Sequence, residues 1–309
     1  MDQAPEVVAT GRMRKVWTVL LLVVSVVFAA AFIRTGPSAV DARPTFRVAT
    51  FNIHKGEPRR GPYDLEHTID AIFRLGADLV GVQEAMRNDP AFGCDDQPAL
   101  IAKGLTRRSG LRWTHVHARA WITQDRQCET AGRGDDVATE GLAIFTREHI
   151  LESSVVRLNE GRVGLLVRVA RFPHVPVVVT HLAANRQNQA DRVREVGLLL
   201  PWAKRFGLGI LLGDLNAEAQ ATELTPLMTS YLDAWPEAAS RGVARGIANG
   251  ATRPNGRQRI DYVLYAPRTD LALEAVEVVD TAALGLGEVS DHHPVVTTFR
   301  RVAPSSTSR

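Results

Sequence analysis

Six places in the 309-residue chain join an apolar, β-rich run to a side chain that can bind a metal ion or carry a proton. Asn52 ends RVATFN, Glu84 ends DLVGVQE, His181 ends VPVVVTH, and Asp214 with Asn216 ends GILLGDLN. Asp261 stands at the start of RIDYVLY, and Asp291 with His292 at the start of VSDHHPVV. If strands that begin with such residues run antiparallel to strands that end with them, all six places meet on one edge. The acids Glu84, Asp214, Asp261 and Asp291, with two Asn and two His, make a set rich in hard oxygen ligands and free of cysteine. That set selects Mg²⁺, Mn²⁺ or Ca²⁺ over structural zinc. A divalent ion beside carboxylates and imidazole suits phosphoryl chemistry. The metal neutralises phosphate charge and stabilises the departing oxygen, while an imidazole takes a proton from the attacking water. An acid such as Asp261 would hold that imidazole's tautomer and stabilise its cation. A single Asp after a strand is most often a turn former or a helix cap. The coincidence of six placements in one chain is what points to a site.

Positioning these residues takes a sheet-rich α/β domain. Apolar runs with strand character cover residues 46–53, 79–82, 111–122, 142–145, 163–172, 175–180, 208–212, 260–265, 271–279 and 295–299. Helical periodicity appears in YDLEHTIDAIFRLGA, where Leu65, Ile69, Ile72 and Phe73 share a face and Gly76 supplies the stop, and again in QADRVREVGLLLPWAKRF. Residues 87–98 and 124–139 are polar and Gly-containing and read as long loops, as does the Gly-, Asn- and Arg-rich stretch 241–259. Cys94 and Cys128 are the only cysteines and lie in the first two of these loops, so an exported domain would join them in one disulfide.

Composition is that of an ordinary globular chain, 45% hydrophobic and 23% charged, which excludes a disordered, collagen-like or coiled-coil protein. Lys and Arg number 37 against 34 Asp and Glu, and a net charge of +3 is too small to argue for nucleic acid. Residues 16–33, VWTVLLLVVSVVFAAAFI, carry no charge and follow Arg12, Arg14 and Lys15. The run exceeds a signal-peptide core and reaches the lower limit for a membrane span. Its flanking charge keeps residues 1–15 in the cytoplasm and exports everything after Arg34. Length favours a retained anchor, although Val40-Asp41-Ala42 resembles a small-x-small cleavage site and would release a secreted protein. Residues 34–44 read as a linker, 45–302 as one catalytic domain and 303–309 as a frayed tail.

The ordered motifs ATFNIHKG, GVQEA, GLAIFTR, VVTHLAANRQNQADR, LLGDLNAE, RIDYVL and SDHHPV resemble the endonuclease/exonuclease/phosphatase superfamily. Its members include DNase I, exonuclease III-type enzymes, neutral sphingomyelinases and inositol polyphosphate 5-phosphatases. The resemblance implies a four-layered α/β sandwich, two mixed, mainly antiparallel sheets packed face to face with helices outside, and Mg²⁺-dependent attack of water on a phosphoester. It also implies roles. Glu84 resembles the principal metal carboxylate, with Asn52 in or near the coordination shell and Asp291 as a further metal-site acid. His292 resembles the general base or acid, oriented by Asp261. Asp214 and Asn216 resemble the pair that positions water and phosphate, alternate residues of an extended segment pointing the same way. His181 resembles a second histidine that donates to a phosphate oxygen. His293 reads as a packing or rim residue. Glu140, just before GLAIFTR, reads as a solvated residue as readily as a support for His181.

Substrate is less specified than chemistry. The THL sequence at His181 and the membrane anchor lean toward a lipid headgroup or other small phosphoester. A DNase I-like nuclease is the second reading, with Arg241, Arg245, Arg253, Arg257 and Arg259 as a phosphate track. A non-catalytic phosphate-binding module is the third. No protein partner is inferred.

Overall fold

The computed structural model describes residues 45–128, 137–159, 161–267 and 270–302. Its strands are β1 (Thr45–Asn52), β2 (Leu79–Arg87), β3 (Thr114–Gln127), β4 (Val137–Thr146), β5 (Ile150–Asn159), β6 (Arg162–Val169), β7 (Val177–His181), β8 (Ile210–Asp214), β9 (Leu232–Asp233), β10 (Ala244–Gly246), β11 (Asp261–Tyr265), β12 (Leu271–Val278) and β13 (Val295–Arg301). The helices are α1 (Leu65–Arg74), α2 (Gln97–Ser109), α3 (Gln189–Arg205), α4 (Thr225–Ser230) and α5 (Ala234–Ser240). One sheet has the order β10-β12-β13-β1-β2-β4-β3 and the other β5-β6-β7-β8-β11-β9. Most pairs are antiparallel, but β1 runs parallel to β2, β7 to β8 and β10 to β12.

Alternation of side chains along each strand divides the interior into three apolar layers. Between the sheets lie Phe46 and Val48 of β1, Leu142 and Ile144 of β4, Val177 and Val179 of β7, Ile210 and Leu212 of β8, and Val263 and Tyr265 of β11. The opposite faces of β1, β2 and β4 pack Ala49, Phe51, Val82 and Phe145 against Ile69 and Ile72 of α1 and Ile101 and Leu105 of α2. Val178, Leu211, Tyr262 and Leu264 pack against Val196, Leu199 and Trp202 of α3. Helix, sheet, sheet, helix: the four-layered α/β sandwich expected from the sequence is the fold.

Local signals explain the helix ends. Asp64 caps α1 by accepting from the His67 N–H, and Gly76 follows it at φ 61°. Asp96 caps α2, with Pro98 in its first turn, so Gln97 and Pro98 begin a helix instead of ending a loop. The expected loop 124–139 is likewise shorter, because β3 runs to Gln127 and β4 starts at Val137. Strand β5 went unread because it is an edge strand with half its residues exposed and only one buried, leaving no apolar run. Cys94 and Cys128 form a disulfide. No helix among the described residues is long and apolar enough to cross a membrane, and the segments 1–15, 16–33, 34–44 and 303–309 lie outside them.

Gly213, paired with Thr180 between β7 and β8, is held at φ 153°, and a Cβ there would overlap the Thr180 carbonyl oxygen. Only glycine lets the two strands approach at the point where they deliver His181 and Asp214. Gly213→Ala should therefore destabilise the fold by about 1–3 kcal/mol, read as a lower urea midpoint; an unchanged midpoint would show that the strands can part without cost.

Candidate active site

The inter-sheet layer is apolar along most of its length and ends in polar residues at one edge. Asn52 has the parity of Phe46 and Val48, Glu140 that of Leu142 and Ile144, His181 that of Val177 and Val179, Asp214 that of Ile210 and Leu212, and Asp261 that of Val263 and Tyr265. Register aligns the second sheet's share of the site, with His181 beside Asp214 and Asp214 beside Asp261. All five residues are buried.

Asp214 is the hub. Its Oδ2 accepts from Asn52 Nδ2 at 3.2 Å and faces His181 Nε2 at 3.5 Å and His292 Nε2 at 3.7 Å. Its Oδ1 accepts the Asn216 N–H at 2.9 Å. Burial and the neighbouring Asp261 push the Asp214 carboxyl up to about 7. His292 Nδ1 lies 2.8 Å from Asp261 Oδ2 and donates to it, which directs Nε2 toward Asp214. Ser290 ties this pair to β1, donating to Asn52 O and accepting the His292 N–H.

Glu84 breaks the parity rule. Ala85 and Val82 face the helices, and an unbroken strand would place Gln83 between the sheets and Glu84 with the helices. A bulge sets Gln83 and Glu84 opposite the single residue Leu142, and Glu84 takes φ 59°. This re-aims the carboxylate toward Asn52, whose Nδ2 donates to Glu84 Oε1 at 3.0 Å. Backbone in this region is uncommon for a residue other than glycine.

Two residues outside the sequence-predicted set complete this flank. Glu140 is 4% exposed, and burial together with Glu84 lifts its carboxyl to about 7, opposed by Lys55, whose Nζ stands 3.8 Å away. Its partner is Lys55 and not His181. Its parity with Leu142 and Ile144 was the available signal. Arg162, 9% exposed, lies with its guanidinium 4.8 Å from the Trp121 ring centroid and makes no side-chain hydrogen bond or ion pair among the described residues. Burial lowers its pKa, and Glu140, Glu195, Asp214 and Glu84 are the anions that counter this. Burial, then Arg162 and His292, hold His181 well below the usual imidazole range, so that ring is neutral.

On the other flank Arg253 Nη1 pairs with Asp291 Oδ2 at 2.9 Å and lies 2.6 Å from His292 Nε2. Burial alone would depress His292, but Asp261 and Asp214 outweigh it and raise the ring to about 9. A guanidinium N–H against Nε2 demands the opposite, a lone pair there. With Arg253 in place the ring carries its proton on Nδ1 for Asp261.

The donor set fits a divalent cation. Asp214, Asp261 and His292 offer ligand atoms within 4.8 Å of one another, Asp261 Oδ1 is buried without a hydrogen-bond partner, and Glu84 adds a carboxylate. Because His292 Nδ1 and Asp261 Oδ2 are committed to each other, Glu84, Asp214 and Asp291 are the better oxygen donors. Asn52 accepts the His54 N–H on its own oxygen and turns its nitrogen to both carboxylates, so it braces Glu84. Asn216 corrects the alternation argument: at φ 51° it is not extended, and its amide donates to Leu182 O at 3.0 Å, holding the chain just after His181. His293 is partly buried, and its N–H donates to Thr252 O.

Comparison with known structures agrees with this architecture. An endonuclease/exonuclease/phosphatase from Beutenbergia cavernae is 22% identical, with a TM-score of 0.65 over 86% of this chain and 74% of that one. The human Nocturnin catalytic domain with bound sulfate is 19% identical, with a TM-score of 0.62 over 85% of this chain and 97% of that one. A mannosyl-6-phosphatase from Bacteroides thetaiotaomicron is 15% identical, with a TM-score of 0.57 over 82% and 99% of the two chains. No protein of curated function matches the sequence. The sequence profile of the Endonuclease/Exonuclease/phosphatase family matches residues 49–292, from just before Asn52 to His292. The chain belongs to that family, whose members are typically phosphoester hydrolases.

Proposed function

We propose that the protein is an exported, membrane-tethered, Mg²⁺-dependent phosphodiesterase or phosphatase acting on a lipid headgroup or other small phosphoester. The observation that carries the reading is the meeting of the His292–Asp261 pair and the Asn52–Glu84 pair on Asp214 Oδ2. A proton acceptor and an oxygen-rich cation site thus share one carboxylate.

Glu84, with Asp214 and Asp291, would hold Mg²⁺, which neutralises charge on the phosphoryl oxygens when bound. His292 Nε2 takes the proton of the attacking water, and Asp261 stabilises the imidazolium that results. Asp214 orients that water from within reach of both rings. Neutral His181 donates to a phosphoryl oxygen, and Asn216 fixes the backbone that carries it. Arg162, a buried cation with no anionic partner at hydrogen-bond distance among the described residues, supports an anionic substrate.

The choice of a small phosphoester over DNA rests on the arginine loop. Arg241 is paired with Glu237 and Arg259 with Asp233, and Arg253 lies against His292 within the site, so only Arg245 and Arg257 of the five remain outside the site without an ion pair among the described residues. Two free arginines make a poor phosphate track. The Cys94–Cys128 disulfide and the apolar run 16–33 support export and tethering.

Assay of the purified chain with Mg²⁺ against bis-p-nitrophenyl phosphate, p-nitrophenyl phosphate, sphingomyelin vesicles and plasmid DNA tests the reading. We expect EDTA-sensitive turnover of a small ester or lipid with the plasmid intact. Nicking of the plasmid with strong salt dependence would replace it by the nuclease, and silence on every substrate by the inactive module. His292→Ala should lower turnover by ~10²- to 10⁴-fold, and adding Asp261→Asn should cost little more because the pair acts as a unit; multiplicative losses would divide it. Glu84→Gln should move the Mg²⁺ titration to higher concentration, whereas an unshifted curve would remove Glu84 from the metal site.

A further inference from the structure

We propose that Arg253 is the receptor for the substrate's phosphoryl group, and that it occupies His292 Nε2 until that group draws it away. The inference rests on the phosphoester reading of the site. Its geometric basis is that one guanidinium nitrogen, Nη1, reaches both Asp291 Oδ2 at 2.9 Å and His292 Nε2 at 2.6 Å. Since His292 Nδ1 is held by Asp261, Nε2 is the ring atom left to accept a proton, and Arg253 stands on it. The base is therefore unable to take a proton from water while the guanidinium stays.

The loop around Arg253 is fixed, so the exchange must be a rotation of the side chain alone. Thr252 is fully buried, its Oγ1 accepts the N–H groups of Ile260 and Asp261, and its carbonyl accepts the His293 N–H. The N–H groups of Thr252 and Arg253 both donate to Gln258 O, and Gly256 N–H returns to Arg253 O. The Arg253 side chain, by contrast, is 32% exposed at the mouth of the site. A planar guanidinium held to Asp291 by a single contact is suited to exchanging that contact for a bidentate anion.

The ligand class follows from what the exchange must overcome. A carboxylate offers Arg253 no more than Asp291 does already. A phosphoryl group offers additional acceptor oxygens and, in a monoester, up to two negative charges. Diester and monoester share this chemistry.

The test compares the full-length wild-type chain with Arg253→Ala and Arg253→Lys, using inorganic phosphate as the binding probe and p-nitrophenyl phosphate and bis-p-nitrophenyl phosphate as substrates. Losing charge-assisted hydrogen bonds should weaken phosphate binding about 10- to 100-fold in Arg253→Ala, with Arg253→Lys intermediate and the thermal midpoint unchanged. KM should rise by a similar factor while kcat stays within several-fold, and the larger KM rise should identify whether the dianionic monoester or the monoanionic diester is the better ligand. Equal phosphate affinity in wild type and Arg253→Ala, no phosphate binding by the wild type, or a collapse of kcat at constant KM would each overturn the proposal. Phosphate binding needs no turnover, so an inactive chain that still loses phosphate with Arg253→Ala would refute the hydrolase reading alone.

Discussion

A carboxylate buried at the closed end of an apolar layer constrains everything around it. Asp214 is 1% exposed, and an unpaired charge in such a place costs several kcal/mol. It is tolerable only if donors and cations converge on it, and the topology exists in a form that makes them converge. Parallel pairing of β7 with β8 brings the end of one strand, His181, to the end of the next, Asp214. Antiparallel pairing of β8 with β11 brings the start of a third, Asp261, to the same row. The opposite sheet supplies Asn52 from the end of β1, whose amide bridges Glu84 and Asp214. A one-residue slip in any of these strands would turn its polar residue toward a helix and leave Asp214 without that partner.

The strand-terminal residues were legible because strand ends that carry a charge after an apolar run are few, and a sheet edge is the one place where several can meet. Alternation then predicts which way each points, correctly for Asn52, His181, Asp214 and Asp261. It fails where the backbone leaves the extended region. Glu84 reaches the site through a bulge that no side-chain pattern in GVQEA announces, and Asn216 turns at a positive φ to hold Leu182 O. Edge strand β5 and the short helices α4 and α5 lack the periodic apolar face on which sequence reading depends.

Charged residues were the hardest to place, and the reason is physical. An arginine has long reach, and its role is set by the anion it finds. Arg259 and Arg241 sit in a stretch that reads as a phosphate track, yet Asp233 and Glu237 claim them. Arg162 opens β6 with nothing in GRVGLLV to distinguish it from a solvated strand end, yet it is buried over Trp121. Glu140 sits at a loop-like position in ATEGLAIF and is enclosed beside Lys55 and Glu84.

The two flanks of Asp214 handle positive charge in opposite ways. On the side of His181, Arg162 is sheltered by an aromatic face and has no ion pair among the described residues, so Glu140, Glu195, Asp214 and Glu84 offset its desolvation only in part. On the side of His292, Arg253 is satisfied twice, by Asp291 and by the ring nitrogen. A fold selected for stability alone would pair the first cation and has no need to set the second against a histidine. Keeping one cation apart from the anions described around it and another on an exchangeable partner is the arrangement a site requires if an anion is to enter between them, because the entering charge then gains what the protein has withheld.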